Sequence, residues 1–108
     1  MVGQQVPWPR PRRSRGQAGP SYFFMELYIL KSENFDRYYV GISANAQKRI
    51  TEHNLGKTKS TKAHRPWKLI YTEQYPDYRL AREREKYLKS YSGAGEKKKI
   101  IDKYSEIV

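Results

Sequence analysis

The stretch MELYILKSENFDRYYVGI, from Met25 to Ile42, contains two β-prone runs, Met25–Lys31 and Arg37–Ile42, on either side of the polar residues Ser32, Glu33, Asn34, Phe35 and Asp36. Aromatic and β-branched side chains suit a pleated, half-buried surface, so two such runs with a short polar connection predict an antiparallel hairpin. Beyond the hairpin the period changes. Asn45 stands where an N-cap belongs, Ala46–Leu55 can run as a helix, and Gly56 occupies the place of a left-handed C-terminal cap. A basic Ser/Thr loop reaches to Pro66, and Trp67–Thr72 (WKLIYT) reads as a third strand. Pro76 and Asp77 mark the start of a helix over Tyr78–Tyr91, in which Leu80, Ala81, Arg84, Leu88 and Tyr91 share one face and Gly93 marks the end. Ile100, Ile101, Tyr104, Ile107 and Val108 repeat that spacing and predict a final helix on the same core. The order β-β-α-β-α-α predicts a small α/β (α+β) sandwich with a three-stranded, mainly antiparallel sheet flanked by helices.

A chain of 108 residues builds one hydrophobic core, so one globular domain is expected. The absence of cysteine excludes zinc knuckles, disulfide scaffolds and thiol redox chemistry. The longest mainly apolar run, Tyr22–Leu30, contains Glu26 and falls far short of the roughly 20 residues of a membrane span, so a soluble, cytoplasmic protein with no membrane association is expected. Residues 1–24 hold four Arg, no acid and Pro7, Pro9, Pro11 and Pro20. Such a segment buries too little apolar surface to offset its ordering entropy and reads as a disordered basic tail, leaving 25–108 as the domain. Its prolines also prevent the amphipathic helix that a transit peptide needs.

The formal net charge is +11, from 22 Lys or Arg against 11 Asp or Glu. The tail carries +4, and +6 lies between Asn45 and Lys68, where residues 56–68 (GKTKSTKAHRPWK) hold five cations and no acid. Charge concentrated in this way attracts phosphates through local potential, which makes nucleic acid the first partner to consider. Lys48, Lys57, Lys59, Lys62 and Arg65 are the candidate backbone contacts.

Arg49 and His53 are four apart and share a helix face just before that basic loop. Glu85 lies four after Ala81 and three before Leu88, at the edge of the buried stripe, whereas Glu83 lies elsewhere and is placed to pair with Arg79 or Lys86. Singly, each has an ordinary structural explanation: a solvated helix cation, a helix-end histidine, a carboxylate paired with Arg82 or Lys89. Together they supply what phosphodiester hydrolysis requires, which is a cation for the phosphorane charge, a carboxylate for a divalent metal and a group that moves protons near neutrality. Tyr28 and Tyr39 fall on the two hairpin strands, and Gly41, two residues after Tyr39, marks either a bulge or the close approach of another backbone. Tyr22, Tyr38 and Tyr71 read as packing residues.

The segments ELYILKS (Glu26–Ser32), YYVGIS (Tyr38–Ser43), NAQKRITEHNLGK (Asn45–Lys57), STKAHRPWKLIYTE (Ser60–Glu73) and AREREKYLKSYSG (Ala81–Gly93) resemble, in order and spacing, the GIY-YIG nuclease superfamily. The similarity is to its small single-domain type, related to the N-terminal nuclease domain found in the excinuclease of nucleotide-excision repair. It spans about residues 24–105 and leaves the tail without a counterpart. Glu26-Leu27-Tyr28 stands in the GIY place and Tyr39-Val40-Gly41 in the YIG place, while Arg49, His53 and Glu85 match the family's arginine, histidine and metal-binding glutamate. The resemblance implies metal-dependent hydrolysis of DNA phosphodiesters, with one Mg²⁺ (or Mn²⁺) on Glu85, Arg49 on the scissile phosphate, and a tyrosine as base assisted by His53. Glu26 and Leu27 depart from the first two letters of GIY with little expected effect. The asparagine that some relatives carry after the glutamate helix is absent, and Ser92 and Gly93 occupy that region.

The leading expectation is a structure-selective endonuclease acting on duplex or branched DNA in repair. With no second domain to read base edges, a protein partner or a homodimer would supply any sequence specificity. Two other readings remain open at this point: a non-catalytic nucleic-acid-binding module that uses the 45–68 segment, and a basic domain that docks onto a larger repair or RNA complex.

Overall fold

The computed structural model describes residues 24–105. The tail expected over 1–24 (but for Phe24), Tyr22 within it, and Ile107 and Val108 of the last apolar stripe lie outside the described residues. The element order is β1 (Met25–Ser32), β2 (Tyr38–Ser43), α1 (Ala46–Asn54), α2 (Lys59–Lys62), β3 (Trp67–Tyr75), α3 (Tyr78–Lys89) and α4 (Ala94–Ser105). The expected hairpin forms, and β1 lies at the centre of a sheet ordered β2-β1-β3 with both pairings antiparallel. No helix among the described residues is long and apolar enough to cross a membrane.

The central position of β1 explains its unbroken apolar run, because a strand covered on both faces has no need to alternate with polar residues. Leu27 and Ile29 pack with Ala81 and Leu88 of α3 and Ile101 of α4. Tyr28 and Leu30 face the other way, toward Ala46 and Ile50 of α1 and toward Trp67. The sheet is therefore a partition, with α3 and α4 on one side and α1 on the other.

The cap signals hold. The Asn45 side chain accepts from Lys48 N at 3.1 Å, the Asp77 carboxylate accepts from Leu80 N at 2.9 Å, and Gly56 adopts φ +82° just past α1. Four boundaries differ from expectation. The basic loop contains one helical turn, α2, because Thr61 is drawn into the interior, where its carbonyl accepts from Trp67 Nε1 at 2.9 Å. β3 continues beyond Thr72 because Glu73 and Tyr75 stay in register with β1, opposite Leu27 and Met25, and Glu73 finds a buried cation there. α3 stops at Lys89, where Ser90 turns extended and its hydroxyl donates to the Tyr87 carbonyl, so Tyr91 is 98% exposed instead of completing the apolar face. α4 begins at Ala94, earlier than its Ile100–Tyr104 stripe indicates, and Ile101 is its buried residue.

Candidate active site

Five side chains singled out in the sequence can be placed. Tyr28 from β1 and Tyr39 from β2 stand on the α1 face of the sheet, with ring centroids 6.2 Å apart. His53, in the last turn of α1, is fully buried against both: its ring lies 4.9 Å from that of Tyr39 and 5.9 Å from that of Tyr28. The Tyr28 hydroxyl and His53 Nε2 are 3.0 Å apart, and on the other side of the imidazole Nδ1 is 2.8 Å from the Thr61 hydroxyl. Arg49, one turn before His53, lies close enough for its guanidinium charge to act on the Tyr28 phenol.

Glu85 approaches from α3, which packs against β2 as well as β1. Its carboxylate is nearly buried and accepts from Arg82 Nη1 and from Lys89 Nζ, each at 2.9 Å. Lys89 is the link to the tyrosines, since the same ammonium lies 5.5 Å from the centroid of the Tyr39 ring. Glu83 sits apart and pairs with Arg79 at 3.3 Å, as its spacing suggested.

These surroundings set the protonation states. Burial raises the pKa of the Tyr28 phenol above its ordinary value; Arg49 opposes that rise without cancelling it, and the nearby Glu85 charge adds to it. At neutral pH Tyr28 therefore carries its proton. Burial lowers the pKa of His53, and the nearby Arg49 charge lowers it further, so the imidazole is neutral and one ring nitrogen is free to accept. Desolvation thus outweighs the Arg49 charge at Tyr28.

Three features escaped the sequence reading. Glu26 is not a neutral departure: its Oε1 accepts from Ala46 N at 2.7 Å, fixing the N-terminus of the helix that presents Arg49 and His53. Arg49 has an anionic partner, Glu52, one turn on, which a phosphate must rival. Gly41 marks neither a bulge nor another backbone. It pairs with Tyr28 across the strands, and a Cβ there would lie 2.6 Å from the Tyr28 hydroxyl and 2.9 Å from Tyr39 Cε2. The signal was present in the Gly itself; what fills the space depends on the register.

The candidate backbone-contact residues Lys48, Lys57, Lys59, Lys62 and Arg65 are all exposed, and none is ion-paired with a described carboxylate. Among the described residues no three of His, Cys, Asp or Glu come together as a metal cage. Mg²⁺ does not need one, because it binds through one or two carboxylates and fills its remaining positions with waters and substrate phosphate. Glu85 fits that sparse requirement. Its carboxylate is already held between two cations whose side chains are 45% exposed and so have room to withdraw.

A profile described as the GIY-YIG catalytic domain matches residues 24–99. A UPF0213 protein of Syntrophus aciditrophicus is 37% identical over 82 residues, 74% of this chain and 92% of the relative. Another, from Natronomonas pharaonis, is 30% identical over 77 residues, 70% of this chain and 89% of that protein. The solution NMR structure of a UPF0213 protein from Bacillus halodurans is 26% identical with a TM-score of 0.46, covering 75% of this chain and 86% of that one. The matched region takes in both hairpin tyrosines, the arginine and histidine of α1 and the glutamate of α3, and the chain belongs to the GIY-YIG catalytic-domain family.

Proposed function

We propose that this protein is a divalent-metal-dependent DNA endonuclease that selects its substrate by structure more than by sequence and acts in DNA repair in the cytoplasm. The observation that carries the proposal is the buried Tyr28–His53 hydrogen bond, on whose phenol the charges of both Arg49 and Glu85 act, with an exposed basic turn on the same side of the sheet as His53.

Water attacks the phosphorus, a new P–O bond forms, and the opposite P–O ester bond breaks, its oxygen leaving as an alkoxide that takes a proton from solvent. Tyr28 takes a proton from that water while passing its own to His53 Nε2, so a phenol with a raised pKa never has to exist as a free phenolate. Arg49 stabilises the charge that develops on the non-bridging oxygens; losing a donor of this kind costs about 10²–10³ in rate. Tyr39 completes the pocket against both partners, its ring next to the Lys89 ammonium. Glu85 is the residue that would hold one Mg²⁺ or Mn²⁺, which supplies Lewis-acid stabilisation of the departing oxygen. Lys48, Lys57, Lys59, Lys62 and Arg65 hold the phosphate backbone and read no bases, so a second protein or a second copy of this chain supplies any sequence preference.

The test is Mg²⁺-dependent nicking of flap, branched and plain duplex DNA by the wild type and Glu85→Ala. Wild-type cleavage that prefers the branched substrates and falls at least about 10²-fold in the variant is the expected result. Equal activity of the two proteins contradicts it. Salt-sensitive binding without turnover, indifferent to Glu85→Ala, would instead establish a non-catalytic binding module.

A further inference from the structure

We propose that Thr61, a residue of the basic turn α2, sets the tautomer of His53 and with it the direction in which the Tyr28–His53 pair moves a proton. The effect on rate rests on the nuclease reading above; the tautomer itself does not.

The Thr61 side chain is the buried one in α2, whose neighbours Lys59 and Lys62 point to solvent. Its hydroxyl stands between two groups, His53 Nδ1 at 2.8 Å and the Thr58 carbonyl at 3.3 Å. A hydroxyl has a single proton, and a carbonyl can only accept. If the Thr61 proton goes to Thr58, the Thr61 oxygen must accept from His53 Nδ1–H. Nε2 then turns a lone pair toward the Tyr28 hydroxyl, 3.0 Å away.

The opposite end of the chain accommodates the same arrangement. Arg49 has donors and no acceptor, so it can act on the Tyr28 oxygen but cannot take the Tyr28 proton. The acceptor within reach of that proton is His53 Nε2. The reverse tautomer would point Nε2–H at a phenol oxygen already faced by the guanidinium, leave the phenol proton without a described acceptor, and take the Thr61 proton away from Thr58. Because His53 is wholly buried, solvent cannot readily substitute for these partners.

Thr61 is itself held in place. Its carbonyl accepts from Trp67 Nε1 at 2.9 Å, and Trp67 is fastened to α1 through Asn54, which donates to its carbonyl at 3.0 Å and accepts from its N–H at 2.7 Å. The turn that offers Lys59 and Lys62 to a phosphate backbone is thus the turn that orients the buried histidine. Thr61 is buried and acts through His53, so its role is that of a positioning residue.

Thr61→Val preserves shape and removes the hydroxyl, whereas Thr61→Ser keeps the hydroxyl. ¹⁵N-labelled full-length protein has two histidines to resolve, and His64→Gln assigns them. Long-range ¹H–¹⁵N correlations at neutral pH are expected to show wild-type His53 protonated at Nδ1, Thr61→Ser unchanged, and Thr61→Val shifted toward the Nε2–H form. In the nicking assay, Thr61→Val is expected to lower kcat at least about tenfold with KM unchanged, and Thr61→Ser to restore it. A wild-type His53 protonated at Nε2, or a Thr61→Val protein with the wild-type tautomer and kcat, overturns the inference. If no DNA is cut by any of these proteins, the tautomers of the wild type, Thr61→Ser and Thr61→Val still decide the claim about Thr61, and Thr61→Ala takes the place of Thr61→Val if that protein fails to fold.

Discussion

Gly41 shows how closely the candidate site is packed. The Tyr28 hydroxyl fills the space above this glycine, so Gly41→Ala must push the phenol away from His53 and Arg49 or open the hairpin. Overpacking of this kind costs about 1–3 kcal/mol. Urea unfolding should show that loss, and nicking should fall further than the stability change explains, because the displaced atom is the proposed proton carrier. Unchanged nicking in a folded Gly41→Ala protein would count against Tyr28. The residues of the site were legible at this scale wherever the signal was local. Arg49 and His53 follow from a spacing of four within one helix, and Glu85 from its place beside Ala81 and Leu88. Glu26 was not legible, because the N–H that it caps lies twenty residues along the chain. Nor was the balance at Tyr28, where burial set by the fold outweighs a cation that the sequence could name.

At the scale of elements, the position of α3 determines whether Glu85 reaches the tyrosines at all. The residue before it, Arg84, is buried and donates to both oxygens of Glu73 on β3, at 2.9 Å each, and to Glu96 at the start of α4 at 2.7 Å. The Tyr71 and Tyr75 hydroxyls donate to the same Glu73 carboxylate, and burial next to that negative charge raises the pKa of both phenols. Burial works against the Arg84 cation, but its two carboxylate partners outweigh that and hold its pKa above the ordinary value. Breaking a buried pair by removing one partner leaves a charge uncompensated, at a cost of about 3–5 kcal/mol. Glu73→Gln leaves Arg84 with Glu96 alone, so it should lower stability by up to that amount in denaturant titration, whereas the same change at exposed Glu83 should cost well under about 1 kcal/mol. Equal effects would mean that the network does not hold α3. The sequence showed Arg84 on the apolar face of α3 but gave no indication of its partners, because β3 was expected to end before Glu73. A run of Thr, Glu and Gln reads as a strand end unless the buried cation opposite it is already known.

Over the whole molecule, the charge has a direction. Most of the +6 between Asn45 and Lys68 stands exposed on α1, α2 and the segments around them, the side of the sheet that also holds Tyr28, Tyr39, Arg49 and His53. Each phosphate neutralised on B-DNA contributes about 0.9 to the slope of log K against log salt. Changing Lys57, Lys59 and Lys62 to Gln should therefore reduce the magnitude of that slope by about 3 and weaken all duplexes alike. A loss confined to one sequence would point to base reading instead. The +11 of the chain thus separates into a basic N-terminal segment and a basic surface beside five side chains that composition alone could not bring together. The most direct test of the proposal that this surface serves a cutting site is a crystal structure of the Tyr28→Phe protein with Mn²⁺ and a short branched duplex. Anomalous density for Mn²⁺ on Glu85, with Lys89 withdrawn and a backbone phosphate against Arg49, is the result expected. Duplex bound along Lys57–Arg65 with no metal at Glu85 and no phosphate at Arg49 would contradict it.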